Sequence, residues 1–178
     1  MKQITLKNGN TIVIRNANKS DAKNMIEYVN QISIESNNLT FGEGEFGISI
    51  EQEEQFLDGI SKQNNALFII AEFEGIIIGN LNFSGGTRPR TAHTGEFGVS
   101  VLKDYWGSGL GTELVKYLID WCKNLGLIRK VNLRVRTDNE AAIHLYKKFG
   151  FNVEGVITRD LRINNRLYDT LFMGLIID

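Results

Sequence analysis

Apolar residues recurring at alternate positions, or every three to four positions, divide the chain into a series of strands and helices. Thr11-Ile12-Val13-Ile14-Arg15 reads as a first strand, set off by the turn residues Asn8-Gly9-Asn10. Ala22, Met25, Ile26, Val29 and Ile32 then recur at helical spacing, with Asn18 or Ser20 placed to cap them. After a polar, glycine-containing loop from Asn37 to Phe46, Ser49 opens a second helix with acid in its first turn. Ala66 to Phe73 and Ile76 to Phe83 are apolar strands joined by a tight Glu74-Gly75 hairpin. A loop from Ser84 to Thr91 leads to a further strand, Thr94 to Val101. That strand enters Tyr105-Trp106-Gly107-Ser108-Gly109-Leu110-Gly111-Thr112. Leu110, Leu114, Leu118 and Cys122 continue at i+4 as a helix to about Asn124, closed by Gly126. Lys130 to Arg136 alternates Val131, Leu133 and Val135 on one face, and Thr137-Asp138-Asn139 caps a helix ended by Gly150. Phe151 to Leu161 and Arg166 to Ile177, joined by Asn164-Asn165, close the series. The order β α α β β β α β α β β predicts one α/β domain, residues 1–178, with a mixed, mostly antiparallel central sheet flanked by helices.

Composition narrows the function classes. A length of 178 residues suffices for one well-filled core. A net charge of −1 lacks the basic excess that nucleic acid or an anionic membrane would require. The single cysteine, Cys122, lies on an apolar helical stripe, so it reads as a buried structural thiol. The two histidines, His93 and His144, stand in no ligand spacing, so no metal is expected. The first residues carry no apolar leader and no stretch reaches the length of a membrane span, from which a cytoplasmic protein is expected.

The stretch Tyr105–Thr112 is a strand-to-helix turn rich in glycine. Glycines let main-chain N–H groups approach a ligand, and the helix start adds unpaired donors and positive dipole. Such a turn suits a pyrophosphate. It is not a P-loop, because no G-K-[ST] follows. Nor is it the dinucleotide fingerprint, since the spacing is Gly107-x-Gly109-x-Gly111 after strands joined by hairpins. Taken alone, the glycines could equally serve close strand–helix packing.

A second motif assigns them. Asn139, Ala142, Ile143 and Tyr146 share one face of the helix that ends in Gly150-Phe151. Together the two stretches resemble the GNAT acetyltransferase superfamily, whose acyl-CoA motif [QR]-x-x-G-x-[GA] is followed by N-x-x-A-x-x-x-Y-x-x-x-G-F. The resemblance runs from Ile14-Arg15 to the last strand. It implies the GNAT fold and acetyl-CoA as donor, with Gly107, Ser108, Gly109, Leu110, Gly111 and Thr112 holding the pyrophosphate. It further implies that Val99, Ser100 and Val101 pair with the pantetheine arm, that Asn139 lies nearby, and that Tyr146 protonates the leaving thiolate. Trp106 stands where the family usually has Gln or Arg, which leaves open what meets the phosphates from that side.

The resemblance does not supply a general base. Ribosomal-protein alanine acetyltransferases, close in pattern, carry glutamate on the strand before the Tyr helix, where this chain has Arg134. Arginine cannot act as a base. Glu96 is the first substitute and His93 the second, each with an equally good structural role. Without a strong base an α-amine is the better acceptor. It is neutral roughly one time in ten at pH 7, whereas a lysine-like amine suffers a penalty of about 4.6 kcal/mol. The expected acceptor is therefore the α-amine of an amino acid or a peptide N-terminus. Lys23 to Lys62 contains no other basic residue but many acids, Glu45 in its loop being a candidate to bind the substrate amine, which keeps a polyamine or aminoglycoside open as the alternative. A non-catalytic acyl-CoA sensor is the alternative of another class. Members of the superfamily often dimerise, so a homodimer is also expected by resemblance.

Overall fold

The computed structural model describes residues 1–178. One sheet of eight strands runs through it in the order β1-β2-β3-β4-β5-β6-β8-β7. Its strands are β1 Lys2–Thr5, β2 Thr11–Asn16, β3 Ala66–Phe73, β4 Ile76–Gly85, β5 Thr94–Val101, β6 Lys130–Arg136, β7 Asn152–Ile163 and β8 Arg166–Ile176. Four helices pack on it: α1 Ala22–Glu35, α2 Ile50–Ser61, α3 Leu110–Leu125 and α4 Glu140–Lys148. Every neighbouring pair is antiparallel except β5 and β6, joined by the crossover through α3.

Local chemistry explains most boundaries. Glu74 and Gly75 both take positive φ (51° and 82°), as do Asn164 and Asn165, which is the twist of two-residue hairpin turns. Ser49 caps α2 through a reciprocal box with Gln52. Asn18 caps a single 3-10 turn, Lys19–Asp21, that runs into α1. Beside it Asp21 receives two N–H groups of Arg15 at 2.8 Å each, and Arg15 also holds Glu72 of β3. The pairing ties β2, α1 and β3 together.

The strand β1 was not foreseen. Lys2–Thr5 pairs with Thr11–Ile14 across the Asn8-Gly9 turn. Its four residues carry a single large apolar side chain, Ile4, too little for a periodic signal of its own.

Two cores lie on opposite faces of the sheet. One packs α3 and α4 against Leu81, Phe83, Phe97, Leu133 and Val135, with Leu110, Leu114, Val115, Leu118 and Cys122 fully buried. Burial pushes the Cys122 thiol up to about 12, so it stays an inert apolar filler. The other core packs Met25, Val29 and Ile32 of α1 and Leu57 and Ile60 of α2 on Phe68, Ile70 and Ile77. The helices α1 and α2 thus cover the β3–β4 side of their face and leave the β6–β8–β7 side open.

Candidate active site

The site is built where β5 and β6 part. Their parallel ladder runs only from Thr94–Lys130 to Glu96–Asn132. Beyond it β5 continues to Val101 against β4 alone. The Leu102 N–H donates to the Ile78 carbonyl at 3.0 Å. Antiparallel alternation therefore turns the main-chain groups of Ser100 and Gly98 to β4 as well, and those of Phe97, Val99 and Val101 toward the gap. Val99, together with the Val101 N–H, presents the free strand edge that an extended amide-bearing arm could pair with. Ser100 departs from that expectation, because its main chain faces β4. Its hydroxyl lies on the α1 side, where it meets Tyr28 Oη at 2.9 Å and donates to Asn80 Oδ1 at 2.6 Å.

At the end of β5 the chain turns into α3. The N–H groups of Gly107, Gly109, Gly111 and Thr112 have no acceptor within the chain. Gly109 sits at the N-cap with φ 93°, a conformation that aims these donors outward and that a side chain would strain. Ser108 and Leu110 play a different part. The Ser108 hydroxyl donates to the Tyr105 carbonyl at 2.6 Å and accepts from the Leu110 N–H at 3.3 Å, and the Leu110 side chain is wholly buried. They lock the turn while the glycines and Thr112 offer the donors.

Trp106 now has a role that its motif position did not suggest. Its Nε1 donates to the Val101 carbonyl at 2.7 Å, closing the end of the strand onto the turn. Cationic contact at the cradle comes from elsewhere. A cavity of about 200 Å³ beside Ser108, Gly109 and Thr112 is lined by Lys7 and Lys148. The Lys7 N–H donates to the Ser108 carbonyl at 3.1 Å, which seats the β1–β2 turn against the cradle. Sequence reasoning missed both lysines, and no local signal marks them. Four free N–H groups, a helix start and two lysines fit a pyrophosphate.

Tyr146 is buried beside the gap, its ring 5.8 Å from that of Phe97 and 5.9 Å from that of Phe151, edge-on to both. Its hydroxyl has no hydrogen bond within the chain, and burial pushes its pKa up to about 12. The phenol therefore stays protonated at neutral pH and can donate. Asn139 caps α4, its Oδ1 accepting from the Ala142 N–H at 3.3 Å.

The base candidates separate. Glu96, at the last rung of the ladder, accepts from Arg134 Nε at 2.8 Å. His93 precedes β5 and lies six residues before Val99, about 20 Å away along an extended strand. Its carbonyl receives the Arg129 and Lys130 N–H groups. The structure keeps Glu96 at the gap and puts His93 at the far end of the strand.

The acidic window does not converge. Glu45 bends back on its own loop to accept the Gly42 N–H at 2.7 Å, Glu35 accepts the Lys103 N–H, and Asp58 pairs with Lys62. Glu53 is buried under α2, which raises its pKa by desolvation. The loop carrying Glu45 is instead tethered by Arg136, which donates to the Asn37 carbonyl at 2.8 Å while paired with Asp138 and stacked on Tyr168.

No group of three or more His, Cys, Asp or Glu side chains is placed to hold a metal ion. No helix is long and apolar enough to cross a membrane.

A strand gap flanked by a glycine cradle and a buried tyrosine is the arrangement of an acyl-CoA-dependent transferase. A family model described as the acetyltransferase (GNAT) family matches residues 30–151, and the chain belongs to that family. It is 30% identical over 106 residues to the L-amino acid N-acetyltransferase AaaT of Escherichia coli (strain K12), covering 60% of this chain and 65% of that protein. It is 35% identical over 78 residues to the spermidine N(1)-acetyltransferase of the same organism, covering 44% and 42%. The chain thus spans just under two-thirds and less than half of these two curated relatives. The crystal structure of an acetyltransferase of the GNAT family from Streptococcus pneumoniae superposes with a TM-score of 0.90 at 31% identity, covering 94% of this chain and 99% of that one.

Proposed function

We propose that the protein is an N-acetyltransferase that moves an acetyl group from acetyl-CoA to the α-amine of an amino acid or a peptide N-terminus, by direct attack in a ternary complex. The observation that carries this reading is the unpaired edge of β5 beyond Glu96, lying between the glycine cradle and Tyr146. Main-chain donors of Gly107, Gly109, Gly111 and Thr112, with Lys7 and Lys148 beside them, hold the pyrophosphate. Val99 and Val101 pair with the pantetheine arm, and Asn139 borders it.

The reaction has four requirements. The neutral amine must be held against the thioester carbonyl, a matter of positioning. The oxygen that gains charge needs a donor, which a free N–H on this strand edge supplies, worth about 2.7–4 kcal/mol. The departing thiolate needs a proton, and Tyr146, kept protonated by burial, gives it, a role worth about 10²–10⁴-fold. The attacking nitrogen sheds its own proton to Glu96 or, through water, to solvent. The C–N bond forms as the C–S bond breaks, and free CoA thiol leaves.

The polyamine reading is favoured by one observation, the similarity to a spermidine acetyltransferase, and by nothing in the arrangement of the acidic residues. A screen with acetyl-CoA against amino acids, peptides, polyamines and aminoglycosides, following thiol release, tests the proposal. Turnover of α-amines is expected. Exclusive turnover of polyamines overturns the acceptor assignment, and tight acetyl-CoA binding without any turnover points to a sensor.

A further inference from the structure

The residue that departs most from the family pattern, Arg134, lies on the open half of the sheet face. Val131, Leu133 and Val135 alternate into the α3 core, so Arg134 points to the opposite face. Glu96 and Ser100 share that face, as the contact of Ser100 with Tyr28 of α1 shows. Glu96 is the last rung of the β5–β6 ladder and Arg134 stands two residues past its partner Asn132, so their ion pair spans the mouth of the gap.

A third charge is brought there by distortion of the neighbouring hairpin. The β7–β8 register breaks between Ile157 and Leu161, and Arg159 takes a left-handed φ of 56°. The Arg159 N–H donates to Asp169 Oδ1 at 2.8 Å, and Thr170 Oγ1 donates to Asp160 Oδ2 at 2.6 Å. These bonds hold Asp160 Oδ1 at 3.9 Å from Arg134 Nη1, near enough to orient the guanidinium but beyond hydrogen-bond distance. Bulges of this kind re-aim side chains beside active sites.

Arg134 is therefore fixed at Nε and open at its Nη1–Nη2 fork, with no hydrogen bond there. We infer that Arg134 and Glu96 form a zwitterion subsite, Arg134 taking the α-carboxylate and Glu96 the α-ammonium of a free amino acid acceptor. The inference rests on the acetyltransferase reading above and narrows its acceptor. The magnitudes allow it. The Arg134–Glu96 pair is nearly half exposed, 46% and 41%, so solvent screens it and little holds Glu96 back from an incoming ammonium. A charge-assisted fork to a carboxylate is stronger than such a screened pair. A peptide N-terminus has an amide where the carboxylate would be, and a polyamine has no anion at all, so neither pairs the Arg134 fork. Asp160 beside the fork would meet a second cation as readily as Arg134 would repel it, so it is the need for an anion that favours the amino acid.

The test compares each L-amino acid that is turned over with its carboxamide and with its decarboxylated amine. Wild-type enzyme is expected to prefer the amino acid about 10–100-fold in kcat/KM, carried by KM. Arg134→Gln should bring that preference to within about threefold of unity, and Arg134→Lys should restore part of it. Titration calorimetry of the amino acid into enzyme saturated with CoA should show binding that Arg134→Gln abolishes. Equal use of amino acid and carboxamide by the wild type overturns the inference. So does a fall in both by the same factor in Arg134→Gln. Absence of turnover with every amine overturns the acetyltransferase reading instead, and the calorimetric arm then decides the subsite by itself.

Discussion

Tyr28 Oη and Ser100 Oγ lie 2.9 Å apart, joining α1 to the strand that borders the gap, and Ser100 passes the chain on to Asn80 Oδ1. The one Ser100 hydroxyl proton goes to Asn80 Oδ1, which leaves Ser100 Oγ to accept from the Tyr28 phenol, kept protonated by burial. This polarity orders two substitutions. Tyr28→Phe removes one donor and leaves the Ser100–Asn80 bond intact, a loss of about 1 kcal/mol. Ser100→Ala leaves both Tyr28 Oη and Asn80 Oδ1 unpaired and should cost more, about 1–3 kcal/mol for each group that stays dry. Urea unfolding midpoints should fall in that order. The reverse order would show that water replaces Ser100.

Tyr146→Phe separates catalysis from packing. The hydroxyl has no partner in the chain and the ring keeps its contacts with Phe97 and Phe151. Thermal stability should therefore move by less than about 0.5 kcal/mol, while acetyl transfer falls about 10²–10⁴-fold. Acetyl-CoA binding by calorimetry should persist. Unchanged transfer would remove Tyr146 from the chemistry.

Glu96→Gln tests the base through pH. If Glu96 accepts the amine proton, the acidic limb of the kcat/KM profile shifts or the plateau drops, by about 10²-fold or more. An unaltered profile would assign deprotonation to water and leave Glu96 a binding group only.

Gly109→Ala should act on donor affinity above all. Its φ of 93° costs an alanine about 1–2 kcal/mol, equal to a few degrees in melting temperature. The relaxed turn would misalign the free N–H groups, so KM for acetyl-CoA should rise at least tenfold while KM for the acceptor changes little. Equal rises in both would show general disruption.

Two buried carboxylates have opposite pH signatures. For Asp21, burial pushes the pKa up, but the Arg15 hydrogen bonds and the Asn18 N–H outweigh it and leave it lowered. Its stabilisation is present above the ordinary aspartate range and is lost as pH falls through the depressed value. Asp21→Asn should cost on the order of 3 kcal/mol at pH 7, with the gap to wild type closing in acid. Glu53 is raised by desolvation, so its neutral form favours folding and its ionised form opposes it. Glu53→Gln should be more stable than wild type near pH 8, an advantage that vanishes as pH falls to the ordinary glutamate range. Denaturant midpoints against pH for the two variants check the signs. Curves parallel to wild type would contradict both.

The sequence by itself determined every element except β1, and the two motifs that point to an acyl-CoA donor, because both rest on local rules. Helix and strand periods, the Ser49 box, the Glu74-Gly75 and Asn164-Asn165 turns, the glycine turn and the Tyr146 helix are each written within a dozen residues. Tertiary structure decided what is non-local. Lys7 reaches the cradle only because β1 pairs with β2, and Lys148 only because α4 ends beside α3. Ser100 turns its main chain to β4 and away from the gap because antiparallel alternation is set by its partner strand. The acidic window looked like a pocket for a cationic acceptor in one dimension, yet its side chains disperse over loops, caps and a buried helix face. Arg134 looked like a missing base, and became a candidate carboxylate anchor only when β5 and β6 parted beside it and the β7 bulge placed Asp160 behind it. Charge acts through space, and position along the chain does not encode the distances that set its strength.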